Sequence, residues 1–247
     1  MTVSPDRPKR LFLMHLATMQ PGDIPIPGYL IQTNDGTNVL IDTGCAKEHI
    51  GPPHPEFGGV IVETTEQGDV FQQLATIGLT PNDIHILICT HFDFDHAGNH
   101  DAFQKAKLVV QRTQYDAARE SDLPRFTKNR PHWNHPNLHY SLVEGDQELL
   151  PGIELIESSG HVPGHQAVLV RLPDTGPVLL AIDAISKTSE LDPDTRLMGP
   201  FDMEETGVRA STRKLVTLAQ HEGVTLIVHG HDTEQWQTLK KAPDFYS

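Results

Sequence analysis

The sequence predicts a single α/β domain of packed layers spanning residues 1–247. Strand-like apolar runs recur along the whole chain, helical stripes lie between some of them, and no long linker or fixed-period repeat divides it. A length of 247 residues suits one large α/β domain, and 37% hydrophobic against 21% charged residues supplies a core and excludes disorder as a reading of the whole chain.

Lys9-Arg10 followed by Leu11-Phe12-Leu13-Met14 imitates a signal peptide. The apolar run breaks at His15, however, and no small-residue cleavage site precedes Gln20-Pro21-Gly22-Asp23, so a first strand is the expectation. Further strands are expected at 29–33 and 39–42. Val70, Phe71, Leu74 and Ile77 then share a helical face that stops at Gly78. Strands follow at 84–90, 107–111, 138–143, 153–157, 167–172 and 178–182, many rich in Val, Ile and Leu and punctuated by Gly, Pro, Asn or Asp. The strongest helix runs from about 203 to 221, with Val208, Leu215, Leu218 and Ala219 on one stripe and Gly223 as its stop. A last strand is expected at 226–229. Three stretches, 44–64, 121–137 and 186–202, lack periodicity and have the length of functional or mobile loops. The middle one carries Phe126, His132, Trp133 and His135, which suits a substrate wall or a subunit contact equally.

Asp and Glu number 33 against 19 Lys and Arg, a formal net charge of −14. That balance argues against a phosphate-binding surface and so against nucleic acid as a partner. Two cysteines, Cys45 and Cys89, make no disulfide framework and are expected as buried free thiols. No apolar stretch approaches the ~20 residues of a membrane helix, and a soluble, cytoplasmic protein without a membrane partner is expected. Histidine, at 15 residues, is the compositional excess, and it is the commonest metal ligand.

The densest signal is Thr90-His91-Phe92-Asp93-Phe94-Asp95-His96-Ala97-Gly98-Asn99, directly after the apolar strand that ends at Cys89. Buried carboxylates need partners, and beside a buried strand a metal cation satisfies several ligands at once. His91, Asp93 and Asp95 project at period two while His96 points elsewhere, so one segment can serve two adjacent ions. Taken alone, the stretch also fits a polar turn with helix-capping aspartates. Three further clusters at strand ends favour the metal: His161 in Ser159-Gly160-His161-Val162-Pro163-Gly164-His165, Asp183 after Val178–Ile182 with no basic residue within three positions, and His231 in His229-Gly230-His231-Asp232.

The order His91-x-Asp93-x-Asp95-His96, then His161, Asp183 and His231, resembles the metallo-β-lactamase superfamily, as does the turn Asp42-Thr43-Gly44. Within it the chain is similar to the N-acyl-homoserine lactonases. The similar stretches are Ile26-Pro27-Gly28-Tyr29-Leu30, Val110-Gln111-Arg112-Thr113-Gln114-Tyr115, Val143-Glu144-Gly145-Asp146, Gly164-His165-Gln166 and Gly230-His231-Asp232, so the likeness runs from about residue 12 to the end. The resemblance implies an αββα sandwich with a dinuclear centre at one edge. His91, Asp93 and His161 would hold one divalent ion, Asp95, His96 and His231 the other, and Asp183 would bridge them. It further implies that a water between the ions, ionised near neutrality, attacks a lactone carbonyl, and that Asp95 is the catalytic residue passing a proton to the leaving alkoxide. His165 and His229 would stand behind the ligands and orient them.

Two departures stand out. The family pattern has histidine where this chain has Asp93, which makes the ligand set one unit less positive. Beside zinc, the harder ions manganese and iron are therefore expected to be tolerated. An arrangement in which Asp93 withdraws and one ion binds is the rival. The tyrosine that such lactonases place shortly after the bridging aspartate is also missing: the run is Asp183-Ala184-Ile185-Ser186. The expected partner is a small-molecule lactone or ester, with a homodimer as an option. The other functions considered are hydrolysis of another cyclic ester or thioester, and a non-catalytic metal-binding protein of the same fold. A nuclease is disfavoured by the charge. A dioxygen- or nitric-oxide-reducing enzyme would need a flavin domain for which 247 residues leave no room.

Overall fold

The computed structural model describes residues 7–51 and 53–247. β1 (Pro8–Gln20) and β2 (Ile24–Thr33) pair as a long antiparallel hairpin, and β3 (Asn38–Ile41) adds antiparallel to β2. The short β4 (Ile61–Glu63) lines the free edge of β1. Three parallel additions, β5 (Ile86–Ile88), β6 (Lys107–Gln111) and β7 (Tyr140–Val143), complete a seven-stranded sheet in the order β4-β1-β2-β3-β5-β6-β7. The second sheet has five strands: β8 (Gln147–Leu150), β9 (Ile153–Glu157), β10 (Gln166–Leu172), β11 (Gly176–Ile182) and β12 (Leu226–His229), ordered β12-β11-β10-β9-β8. Only β11 and β12 run parallel in it.

The period of two along a strand explains the layering. Leu11 and Leu13 of β1 face the second sheet and join Ile31, Ile41, Val109, Val168, Leu180 and Val228 in one core between the sheets. Phe12 and Met14 face the other way, onto α1 (Val70–Thr76), whose Val70 and Leu74 close a second core. On the outer face of the second sheet, Leu215 and Ala219 of α5 (Glu205–His221) pack on Leu169, Leu179 and Ala181. Two sheets face to face with helices outside are the expected αββα sandwich. Strands buried on both faces read as continuous apolar runs rather than alternation, which is why they stood out in the sequence.

Several elements carried no such signal. α2 (Arg112–Glu120) buries only Gln114 and Ala118, so it offers no apolar stripe. β8 is exposed at Gln147 and Glu148 and only half-buried at Leu149 and Leu150. The stretch 121–137 folds into α3 (Pro124–Thr127) and α4 (Arg130–Trp133). Here the structure corrects the reading of that loop's aromatics. Phe126 and Trp133 are fully buried, Trp133 stacks on Phe92 at 4.4 Å, and its Nε1 donates to the Phe126 carbonyl. They form core with Phe92 under the loop of residues 90–99 rather than a wall or a subunit contact. Arg112 is exposed and pairs with Glu144 at 2.8 Å. Cys45 and Cys89 are buried free thiols, as expected.

Candidate metal centre

Four strand ends open onto one rim of the sandwich. The chain leaving β5 carries His91, Asp93, Asp95 and His96, the β9–β10 connection carries His161, and Asp183 and His231 follow β11 and β12. The first segment belongs to one sheet and the other three to its partner, so packing the two sheets assembles the cluster. Two strand ends adopt backbone conformations that non-glycine residues avoid, Asp42 at φ 58° and Ile182 at φ 51°, ψ −136°. Such positions cost about 1–3 kcal/mol each. The first turns the Asp42 carboxylate under the ligand loop, where Thr90 donates to it from both N and Oγ1. The second starts the turn that presents Asp183.

All seven residues singled out in the sequence converge. The Oδ2 of Asp93 lies 3.4 Å from His91 Nε2 and 3.1 Å from His161 Nε2. That of Asp95 lies 3.6 Å from His96 Nε2 and 3.5 Å from His231 Nε2. Asp183 sits between these groups. Its Oδ1 is 3.6 Å from His96, and its Oδ2 is 3.3 Å from His161, 3.2 Å from His231 and 3.8 Å from His91. Three sets of donor atoms lie within 4.8 Å of one another: His91, Asp93 and His161; Asp95, His96 and His231; and His91, His96 and Asp183. Buried atoms without any hydrogen-bond partner include His91 Nε2, His96 Nε2 and Asp183 Oδ1. Unpaired buried polar atoms are costly, and three of them aimed at one point fit divalent cations.

The opposite edge of each imidazole is held. His91 Nδ1 meets Thr90 Oγ1 at 3.0 Å, His96 Nδ1 meets Asp42 at 2.9 Å, His161 Nδ1 meets Asp202 at 3.0 Å, and His231 Nδ1 meets the Pro25 carbonyl at 2.9 Å. Fixing Nδ1 directs Nε2 into the cluster. Burial alone lowers the pKa of His96, but Asp95, Asp183 and Asp42 outweigh it and raise it to about 10. His165 accepts from the Asp183 backbone N–H at 3.3 Å and contacts Ser158 Oγ through Nδ1, and burial holds its pKa well down. His229 Nδ1 lies 3.1 Å from the Ile185 carbonyl, so both histidines brace the turn carrying Asp183. Gly230 is required by close approach: a Cβ there would sit 2.6 Å from Asp183 Oδ1 and 2.7 Å from the Ile182 carbonyl.

Sequence reasoning missed Arg125 and Asp202. Arg125 on α3 forks onto Asp93, its Nε donating to Oδ1 at 2.7 Å and its Nη2 to Oδ2. Burial would raise the Asp93 pKa, but the Arg125 and His91 charges hold it well below the usual carboxylate range. Both missed residues lie in stretches without periodicity, and neither sits in a recognisable motif. Asp42 stood in the turn motif, but its contact with His96 had no local signature.

Beside the cluster lies a cavity of about 460 Å³, within the range of small-molecule sites. Asp93, Asp95, His161, Asp183 and His231 form its floor, and Met19, Phe57, Phe94, Leu197, Met198 and Phe201 much of its apolar wall. All three aperiodic stretches contribute, through Phe57 and Val60, Arg125, and the run from Ser186 to Asp202. No tyrosine lines it, whereas Ser186 and Lys187 do. Among the described residues, no helix is long and apolar enough to cross a membrane.

Residues 21–231 match the metallo-beta-lactamase superfamily. An N-acyl homoserine lactonase of a Bacillus species is 34% identical over 238 residues, covering 93% of this chain and 91% of that protein. The N-acyl homoserine lactonase AttM of Rhizobium radiobacter is 34% identical over 91% of this chain and 88% of its own. Among solved structures, a Bacillus thuringiensis AiiA variant with N-decanoyl-L-homoserine at its active site superposes with a TM-score of 0.85 at 26% identity, covering 97% of this chain and all of that one. An N-acyl homoserine lactone hydrolase with N-hexanoyl-L-homoserine at its catalytic metal centre gives 0.83 at 27%, with the same coverage.

Proposed function

Because the chain belongs to the metallo-β-lactamase superfamily, we propose that it is a metal-dependent hydrolase that opens a lactone ring, with N-acyl-homoserine lactones as its substrates. The observation that carries this reading is the convergence of seven His and Asp side chains, three of their donor atoms left without partners, with five of the seven on the floor of an apolar-walled cavity. Two divalent ions held there would supply the Lewis acidity that activates water near neutral pH and polarises a carbonyl oxygen. We assign His91, Asp93 and His161 to one ion, Asp95, His96 and His231 to the other, and Asp183 to both. Zinc is the proposed metal, with manganese or iron admitted by the hard carboxylate oxygen of Asp93.

The chain's own side chains do the rest. Asp95 faces the cavity from the ligand loop and is assigned to carry the proton to the departing alkoxide oxygen. The apolar wall takes an acyl chain and excludes bulk water from the ring. Ser186 and Lys187 line the cavity where a tyrosine is missing. We also read residues 1–247 as one domain, supported by a core that both sheets share.

The test is a panel of lactones varied in ring size and acyl length, assayed with and without chelator. Ring opening of acyl-homoserine lactones that chelator abolishes is the expected result. Activity confined to other cyclic esters or thioesters would move the substrate assignment, and no turnover by metal-loaded protein would leave a metal-binding protein.

A further inference from the structure

Asp93 is the one carboxylate of the cluster that a guanidinium grips. Arg125 Nε donates to its Oδ1, Nη2 donates to its Oδ2, and Nη1 donates to the Phe201 carbonyl. The guanidinium also lies 3.1 Å from His161 Nε2. Asp93 and Arg125 side chains are 7% and 11% exposed, so the pair is nearly dry. Its neighbour Phe126 is fully buried and accepts from Trp133, which anchors α3 and fixes where Arg125 reaches from. Arg125 meets both oxygens of Asp93, and Oδ2 also faces His91 and His161. Three of the five guanidinium N–H groups are engaged by Asp93 and Phe201, so the side chain is a fixture of the floor and not a free substrate clamp.

We propose that Arg125 is part of the metal centre as the counter-charge of Asp93, so that Asp93 serves the cations as the anionic half of a neutral Asp–Arg pair. A carboxylate in place of a neutral ligand adds one negative charge to the set formed by Asp93, Asp95 and Asp183, and the guanidinium returns one positive charge. Counting Asp93 without Arg125 therefore overstates the electron richness of the centre, and with it the drift away from zinc expected from sequence. The fork also holds Asp93 in the ligating direction. The corollary is a liability: with a neutral side chain in place of Asp93, Arg125 becomes an uncompensated cation beside a cation site.

This inference rests on the proposed metal centre, and metal affinity tests it without any assay of activity. The full chain, loaded with zinc, is titrated against a chromophoric chelator to give the dissociation constant of the weaker zinc. Asp93→His is expected to weaken it by about tenfold or more, because the buried guanidinium then faces the cation without its carboxylate. Adding Arg125→Met to Asp93→His is expected to recover at least about tenfold of that loss. Adding Arg125→Lys, which keeps the charge, should leave affinity low. Thermal scans confirm that each variant folds. Unchanged affinity in Asp93→His, no recovery with Met, or equal recovery with Lys overturns the proposal while leaving the hydrolase reading intact. Wild-type protein that binds no zinc removes both.

Discussion

At the scale of single residues, the cluster depends on groups that never touch the cavity centre. Asp202 accepts from the Gly199 N–H and lies 3.0 Å from His161 Nδ1, and the nearly buried Arg196 approaches the same carboxylate at 3.7 Å while donating to the Ala184 carbonyl. Removing Asp202 frees the His161 ring to turn. Asp202→Ala is expected to lower zinc affinity about 10–100-fold, measured by chelator competition, and a value within about twofold of wild type would show that His161 needs no such guide. The seven clustered His and Asp residues were legible because chemistry concentrates them: four within six residues after a strand, and three more shortly after strands. Arg125 and Asp202 were not, because their meaning arises only when they fold onto Asp93 and His161, 32 and 41 residues away in sequence.

At the scale of elements, the ligand loop is held by packing beneath it. Phe92, between His91 and Asp93, is fully buried and stacks on Trp133 of α4. Phe92→Ala is expected to cost about 3–5 kcal/mol, read by urea denaturation, and a loss below about 1 kcal/mol would show the loop to be held from elsewhere. α4 also joins two turns electrostatically. His132 reaches Glu48 at 2.7 Å and Asp101 at 3.1 Å. Burial lowers its pKa, but hydrogen bonds to the two carboxylates outweigh this and raise it above 6.5. A raised folded-state pKa gives stability that is complete below the unfolded value of about 6.5 and is lost as pH rises through the folded one. The melting temperature should therefore fall slightly above pH 6.5, and less so in Glu48→Gln; identical pH profiles would remove the role of this pair. Doubly buried strands and α5 were readable from apolar pattern alone. α2, β4, β8 and α6 (Thr233–Thr238) were not, because they are short or polar and take their conformation from neighbours.

At the scale of the whole molecule, function follows from two sheets meeting. Neither sheet alone holds a complete donor set that includes His91 or His96 together with Asp183, His161 or His231, so the core between the sheets and the site stand or fall together. The negative net charge of −14 separates a hydrolase of small esters from nucleic-acid enzymes but does not shape the fold. The αββα layering was visible as a family resemblance, whereas the cavity was visible only as three loops without periodicity. The most direct measurement is a zinc titration of chelator-stripped protein, following ring opening of an acyl-homoserine lactone at each addition. Activity absent at the start and rising to a plateau at two zinc ions per chain is the expected result. Ring opening that persists after complete metal removal would contradict the account.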